Sequence, residues 1–152
     1  MSSNSERTYI MVKPDGVNRA LCSEIMRRFE QRGFKLIACK LTQANEQLLR
    51  THYAHLVEKS FFTSLLKFMM SGPVFCMVWE GKDACATGRK ILGETNPLAS
   101  MPGTIRGDYG LDTGRNICHG SDSVASAEKE ISLWFPEGVI QWERALDSLI
   151  YE

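Results

Sequence analysis

The sequence contains no long hydrophobic run and carries no net charge. Its apolar stretches all fall short of the roughly 20 residues that a membrane-spanning helix needs, and 18 Lys plus Arg balance 18 Asp plus Glu. Residues 1–7 are polar and lack the apolar core of a signal peptide, so we expect a flexible tail ahead of one domain over residues 8–152. Without a global basic field, we do not expect nucleic acid or an anionic membrane surface as a primary partner. The short apolar runs and the lack of a signal peptide predict a cytoplasmic protein.

Two motifs that bind phosphate through glycine loops are also absent. The chain has neither G-x-x-x-x-G-K-[ST] nor G-x-G-x-x-G, which excludes the phosphate loops of common NTPases and protein kinases. The five cysteines are odd in number and widely scattered, which indicates free buried thiols in a reducing compartment rather than disulfides or a zinc site. Any phosphate site must therefore be made by a local cluster of side chains.

The hydrophobic pattern predicts alternating strands and helices. Strands are predicted at 8–13, 34–42, 74–80 and 116–119, and helices at 21–32, from 45, at 61–69, 82–92 and 123–134, with a tail over 135–152. This order is compatible with a split β-α-β arrangement, an α+β fold with helices on one face of a four-stranded antiparallel sheet. The segment 94–115 has no apolar period, and a loop of this length usually binds something or builds an interface.

Two histidines, His52 and His55, are spaced i, i+3 on a predicted helix. Such a pair could share a metal ion, but no nearby cysteine or carboxylate pattern completes a site. We therefore predict that both lie on a solvated helix face without a functional role.

The most informative stretch surrounds His119, which lies between a strand-like run and the start of a helix. Gly120 allows a tight turn, and the residues at 121–123 are all good helix N-caps. A helix N-terminus beside a histidine attracts anions. Because a lone histidine is more often a hydrogen-bonded core residue than a catalyst, the rest of the chain must decide.

Several sequence blocks favour a catalytic role for His119 over a structural one. The octet N-I-C-H-G-S-D-S at 116–123 closely resembles the signature of the nucleoside diphosphate kinases. Further similar blocks are Y-I-M-V-K-P-D-G-V at 9–17, S-G-P-V at 71–74, V-W-E-G at 78–81, G-E-T-N-P at 93–97, P-G-T-I-R-G-D at 102–108 and I-Y-E at 150–152. They cover nearly the whole chain in order, which is far more specific than one short motif. The resemblance implies a ferredoxin-like sheet with a helical hairpin over a nucleotide cleft.

The resemblance also implies a reaction and its catalytic residues. A phosphoryl group would pass from a nucleoside triphosphate, typically ATP, to a nucleoside diphosphate by ping-pong through a phosphohistidine on His119, with broad base tolerance. Glu130 would hold the other imidazole nitrogen and Ser121 would steady Glu130. Lys13 and Tyr53 would lie near the transferred phosphate. A His–phosphate bond suits such transfer because a phosphoramidate keeps a high transfer potential.

The nucleotide site implied by the resemblance is made of side chains. Its members would be Lys13, Phe61, Leu65, Arg89, Thr95, Arg106, Thr113 and Asn116. The arginines suit bidentate phosphate contacts, and a ring face suits stacking of any base. Magnesium would accompany the nucleotide phosphates, since the sequence shows no carboxylate cluster dedicated to it. A homohexamer is also implied.

Two residues depart from the family pattern. Thr113 replaces the usual valine opposite the base, and Ala125 replaces a usual glutamate in the first helical turn.

Two other functions compete with nucleoside diphosphate kinase activity. One rival is a nucleic-acid-binding module, which ferredoxin-like sheets often form, although zero net charge and the lack of an aromatic RNP-like run argue against it. The other is a phosphatase that passes the phosphohistidine to water, which the sequence leaves open.

Overall fold

The computed structural model describes residues 3–152, which form a four-stranded antiparallel sheet with helices on both faces. The strands are β1 (Arg7–Val12), β2 (Lys35–Thr42), β3 (Val74–Glu80) and β4 (Cys118–Gly120), in the spatial order β2-β3-β1-β4. The helices are α1 (Pro14–Asn18), α2 (Cys22–Arg32), α3 (Glu46–His52), α4 (Phe62–Met69), α5 (Ala84–Leu92), α6 (Ile105–Tyr109) and α7 (Val124–Trp134). The predicted ferredoxin-like α+β fold is confirmed.

The two faces of the central strand β1 contact different cores. Tyr9 and Met11 belong to the cluster that α3, α4 and α7 complete, whereas Ile10 and Val12 belong to the cluster completed by α2 and α5. The expectation of helices on one face is therefore wrong. A central strand that is buried at every position after Arg7 needs cover on both sides, because consecutive side chains point to opposite faces.

Most predicted elements are present, with shifted ends. Arg7, which we assigned to the tail, is the first residue of β1, and the short helix α1 that follows Lys13 was missed. The segment 94–115 contains α6, whose N-cap Thr104 accepts a hydrogen bond from the Gly107 N–H. A five-residue helix is too short to show an apolar period. Met1 and Ser2 lie outside the described residues, and the flexibility of the tail stays a prediction.

All five cysteines are free, as predicted. Three are buried, but Cys22 is only partly buried and Cys39 is exposed on β2, so the expectation that all five are buried is wrong. No helix within residues 3–152 has the length and apolar character to cross a bilayer.

A strained turn leads into β4, which begins at Cys118 instead of the predicted residue 116. Ile117 has φ 78°, and the Cys118 N–H donates to the Asn116 carbonyl at 2.9 Å. A β-branched residue in this conformation costs on the order of 1–3 kcal/mol. The Asp15 carboxylate accepts from the Ile117 N–H at 3.0 Å, and a Cβ at Gly16 would lie only 2.9 Å from the Ile117 carbonyl oxygen. The turn is thus held by α1, which directly follows β1.

Candidate active site

The histidine of β4 is fixed at one nitrogen. His119 Nε2 lies 2.8 Å from Glu130 Oε2, and the other Glu130 oxygen accepts a 2.6 Å hydrogen bond from Ser121 Oγ. Ser121 is fully buried, and its Oγ also accepts from the Tyr9 N–H of β1 at 3.2 Å. His119 itself is 22 % exposed. The contacts therefore run from Tyr9 of the sheet through Ser121 and Glu130 to the His119 imidazole. The expected contacts of Glu130 with His119 and with Ser121 are both present.

The carboxylate decides which nitrogen of His119 is free to react. Burial alone would raise the pKa of Glu130, but hydrogen bonds from His119 and Ser121 and the His119 charge together lower it below its ordinary value. Glu130 is therefore ionised at neutral pH and accepts a hydrogen bond from Nε2–H. The lone pair of the neutral imidazole is then on Nδ1, which has no hydrogen-bond partner within residues 3–152.

A second group of predicted residues is joined through Asn116. Lys13 Nζ donates to Asn116 Oδ1 at 3.0 Å, and Asn116 Nδ2 donates to the Thr95 carbonyl at 3.0 Å. Burial lowers the pKa of Lys13, and the charge of Arg106 adds to that shift. The structure thus brings the ends of β1, α5 and the β4 turn together around one amide.

The two arginines donate to carbonyls on either side of His119. Arg89 Nη1 donates to the Gly120 carbonyl at 3.1 Å, and Arg106 Nη2 donates to the Cys118 carbonyl at 2.7 Å. Arg106 is 6 % exposed and burial lowers its pKa, with the charge of Arg89 adding to the effect.

The structure shows a backbone role for Arg106 that sequence reasoning missed. Besides Cys118, the guanidinium donates to the carbonyls of Asn116 at 3.1 Å and Gly93 at 3.0 Å. Three of its five N–H donors are therefore bound to backbone, and two remain. No sequence signal distinguishes such a buried arginine from a surface arginine, because its acceptors are backbone carbonyls.

The remaining predicted site residues differ in exposure. Phe61 at the start of α4 is 51 % exposed, Thr113 is exposed and Leu65 is half-buried. Tyr53 is 8 % exposed, and its hydroxyl is buried without a hydrogen-bond partner. Burial, followed by the charge of Glu130, raises the pKa of Tyr53. Ala125 is exposed in the first turn of α7.

The prediction for His52 is wrong, whereas His55 is exposed as expected. The His52 side chain is 1 % exposed, and its ring lies 4.8 Å from the His119 ring. The sequence contained a usable signal, because His52 continues the stripe of Leu48 and Leu49 at i+4 and i+3.

The potential metal ligands that cluster within residues 3–152 do not fit a magnesium ion. One group of potential ligands, His52, His119 and Glu130, has its ligand atoms within 4.8 Å of one another. Two imidazoles and one carboxylate are a poor set for Mg²⁺, which prefers oxygen ligands in an octahedron. A dedicated magnesium cage is therefore not formed there.

Comparison with known proteins places this site in a family. The family model described as nucleoside diphosphate kinase matches residues 6–140. The chain belongs to the nucleoside diphosphate kinase family. Nucleoside diphosphate kinase of Saccharomyces cerevisiae is 59 % identical over 100 % of both chains, and nucleoside diphosphate kinase A of Mus musculus is 58 % identical over 99 % of both. Their activity, phosphoryl transfer from a nucleoside triphosphate to a nucleoside diphosphate, is the activity of this nucleotide-binding phosphotransferase.

Solved structures of the family share the fold closely. The halophilic enzyme of Halobacterium salinarum, solved in complex with CDP, is 45 % identical with a TM-score of 0.94 over 97 % of this chain and 99 % of that chain. The family protein of Babesia bovis is 49 % identical with a TM-score of 0.93 over 96 % and 99 %. The sheet and the helices on both of its faces are thus those of nucleoside diphosphate kinases.

Cys118 directly precedes His119 in the sequence, and a substitution can test whether its thiol takes part in the reaction. Its side chain is fully buried in the cluster with Ile10 and Val12, on the sheet face opposite His119. We expect Cys118→Ile to leave kcat/KM near the native value, because the residue only packs. A loss of two or more orders of magnitude at unchanged Tm would show that the thiol participates.

Proposed function

We propose that Nδ1 of His119 is the nucleophile of a ping-pong reaction. In the first half, Nδ1 attacks the terminal phosphorus of a nucleoside triphosphate, and the bond to the bridging oxygen breaks, releasing the diphosphate. In the second half, a terminal oxygen of another diphosphate attacks the same phosphorus, and the N–P bond breaks. The observation that carries this proposal is the 2.8 Å contact between Nε2 and Glu130, which leaves the Nδ1 lone pair free.

The phosphates would be held by Lys13, Arg89 and Arg106. Both arginines donate to the carbonyls that flank His119, so their charges are concentrated where negative charge develops during transfer. Arg106 keeps two N–H donors for a ligand. Magnesium would be bound by the nucleotide's phosphate oxygens and would neutralise part of their charge.

Two further residues would complete the phosphate and ribose contacts. The buried Tyr53 hydroxyl has no partner, and an unpaired buried donor costs about 1–3 kcal/mol unless a ligand satisfies it. We assign it to the transferred phosphate, with Thr95 beside the phosphates. The Lys13–Asn116 pair would bind the ribose hydroxyls, since the ammonium has donors left after its one bond.

Phe61 would make the enzyme tolerant of the base. Its ring is half-exposed, with Leu65 one helical turn away, and Thr113 would lie opposite the base. Stacking on a ring is worth about 1–3 kcal/mol for any base. We therefore expect Phe61→Ala to reduce kcat/KM for ADP, GDP, CDP and UDP by a similar factor. A native preference above roughly a thousandfold for one base would contradict recognition by stacking alone.

The experiment that tests the function is incubation of ATP with GDP. Formation of GTP is expected from a nucleoside diphosphate kinase. Release of free phosphate instead would support a phosphatase, and the absence of any reaction would support a binding module. Label transferred from ATP to the protein and then to GDP in two separate steps would establish the ping-pong order.

We expect six subunits in solution. Large apolar side chains are exposed in two segments, with Leu98, Met101 and Leu111 at 72–78 % in the first and Leu146 and Leu149 at 59 % and 80 % in the second. Exposed apolar surface of this kind marks interfaces between proteins. Light scattering on the native protein should give a mass of about six chains, as a trimer of dimers. A mass of about four chains would favour another assembly, and a monomer would remove the proposed interfaces.

A cytoplasmic location is the last part of the proposal. It is supported by the five free cysteines, which stay reduced in that compartment. With zero net charge, nucleic acid is not expected as a primary partner. Fractionation of cells followed by the ATP and GDP assay would test the location directly.

A further inference from the structure

The His52 ring is the part of the site that no role above uses. It is the last residue of α3, and its ring is surrounded by other rings: Tyr53 at 4.5 Å, His119 at 4.8 Å, Trp134 at 5.6 Å and Tyr9 at 6.3 Å between centroids. The interplanar angle to the His119 ring is 74°, so the two imidazoles meet edge to face. His52 thus forms one wall of the space that the His119 ring occupies.

Trp134 fixes the tautomer of His52. The indole Nε1–H donates to His52 Nδ1 at 3.1 Å. An indole N–H is only a donor, so His52 Nδ1 must present its lone pair. A neutral His52 ring therefore carries its proton on Nε2.

His52 also stays uncharged. Burial lowers the pKa of His52 to about 3, and the neighbouring His119 on β4 shifts it in the same direction. Lys13 at the end of β1 and His55 in the following turn also disfavour a second positive charge, whereas only Glu130 on α7 favours it. The ring is therefore neutral at neutral and mildly acidic pH.

Neutrality matters because of the distance to the carboxylate. His52 Nδ1 lies 3.8 Å from Glu130 Oε2, too far for a hydrogen bond, whereas His119 Nε2 lies at 2.8 Å from the same oxygen. A charged His52 would compete for that oxygen and draw Glu130 away from His119. A neutral His52 that is already bonded to Trp134 does not compete.

We propose that His52, held by Trp134, is a positioning residue that confines the His119 imidazole against Glu130 so that Nδ1 stays turned to the cleft. The proposal rests on the nucleophilic role of His119 proposed above. His52 acts through His119 and Glu130, and it is assigned no contact with the substrate.

A metal site is the alternative use of the same three side chains, and the indole N–H argues against it. A metal ion on His52 Nδ1 would displace the Trp134 N–H and leave that donor buried. A metal ion on Nε2, with Nδ1 still accepting from Trp134, would require a ring that has lost both protons. The positioning role needs neither change.

The test compares two substitutions of His52 with a control on its exposed neighbour. His52→Leu fills the space with an apolar side chain but removes the acceptor, and we expect it to slow single-turnover phosphorylation of His119 by ATP about 10–100-fold. Nucleotide affinity should change by less than about threefold. His52→Asn, whose Oδ1 can replace Nδ1 as acceptor for Trp134, should recover most of the rate. His55→Leu should phosphorylate at the native rate.

Nitrogen NMR of the imidazoles gives a readout that packing alone would not move. In the native protein, His52 should be a neutral Nε2–H tautomer at about pH 5. In His52→Leu, His119 should lose its single Nε2–H tautomer and show a mixture. A charged His52 at about pH 6 would overturn the proposal. So would a native phosphorylation rate in His52→Leu, or equal losses in the Leu and Asn variants with an unchanged His119 tautomer.

The two proposals fail in different ways. If ATP does not label native protein on His119, the proposed function is lost, although the His52 tautomer can still be read by NMR. If ATP labels the native protein on His119 and the His52 variants are labelled at the same rate, the positioning role alone is lost.

Discussion

Replacing His119 with alanine is expected to abolish both labelling of the protein by ATP and transfer to GDP, a loss on the order of 10⁴-fold or more. The substitution removes the only atom that we propose to carry the phosphoryl group, so the remaining Lys13, Arg89 and Arg106 can bind nucleotide without a covalent step. In the native protein the label should be labile to acid and stable to alkali, as a phosphoramidate is. The measurement is the amount of label per chain and the rate of GTP formation.

His55→Ala is the matched control for this loss. His55 is exposed and lies outside the contacts of Glu130, so its substitution should leave labelling and transfer at native values. The nucleotide affinity of His119→Ala, measured by titration, should remain close to the native value. Label that persists in His119→Ala would contradict the phosphohistidine mechanism.

The second large effect is expected from Arg106→Ala. Loss of a donor to developing charge costs on the order of 10²–10³ in turnover. The structure adds a cost in stability, because the carbonyls of Gly93, Asn116 and Cys118 each lose a hydrogen bond from a charged group. Such bonds are worth about 1.5–3 kcal/mol each. We therefore expect both kcat/KM and Tm to fall.

A lysine substitution separates the two contributions of Arg106. Arg106→Lys keeps the positive charge but cannot reach several carbonyls from one planar group, so Tm should fall while part of the turnover is retained. Arg27→Ala, in which an exposed arginine of α2 is removed, is the control and should change neither quantity. An Arg106→Ala variant that loses stability but keeps native kcat/KM would reduce Arg106 to a structural residue.

Local features were predictable from the sequence because local physics determines them. The run over β3 is apolar at nearly every position, which required burial on both faces of that strand. A helix was predicted from residue 45, and residues 121–123 were candidate N-caps; Asn45 and Ser123 each accept a hydrogen bond from a backbone N–H three residues later. The blocks around His119 also carried the family resemblance, and with it the contacts of Glu130 and Ser121.

The remaining features depend on residues that are distant in the sequence. His52 is buried because Trp134, 82 positions away, supplies both apolar cover and a hydrogen-bond donor, and no local period contains that partner. Arg106 is buried because the strained turn at Ile117 presents carbonyls that need donors, and backbone acceptors leave no pattern in side-chain types. The strands, the helix caps and the candidate histidine could be predicted because local patterns and the family blocks contain them. The burial of His52 and Arg106 around that histidine could not be predicted, because those contacts form only when the sheet and both helical layers have assembled.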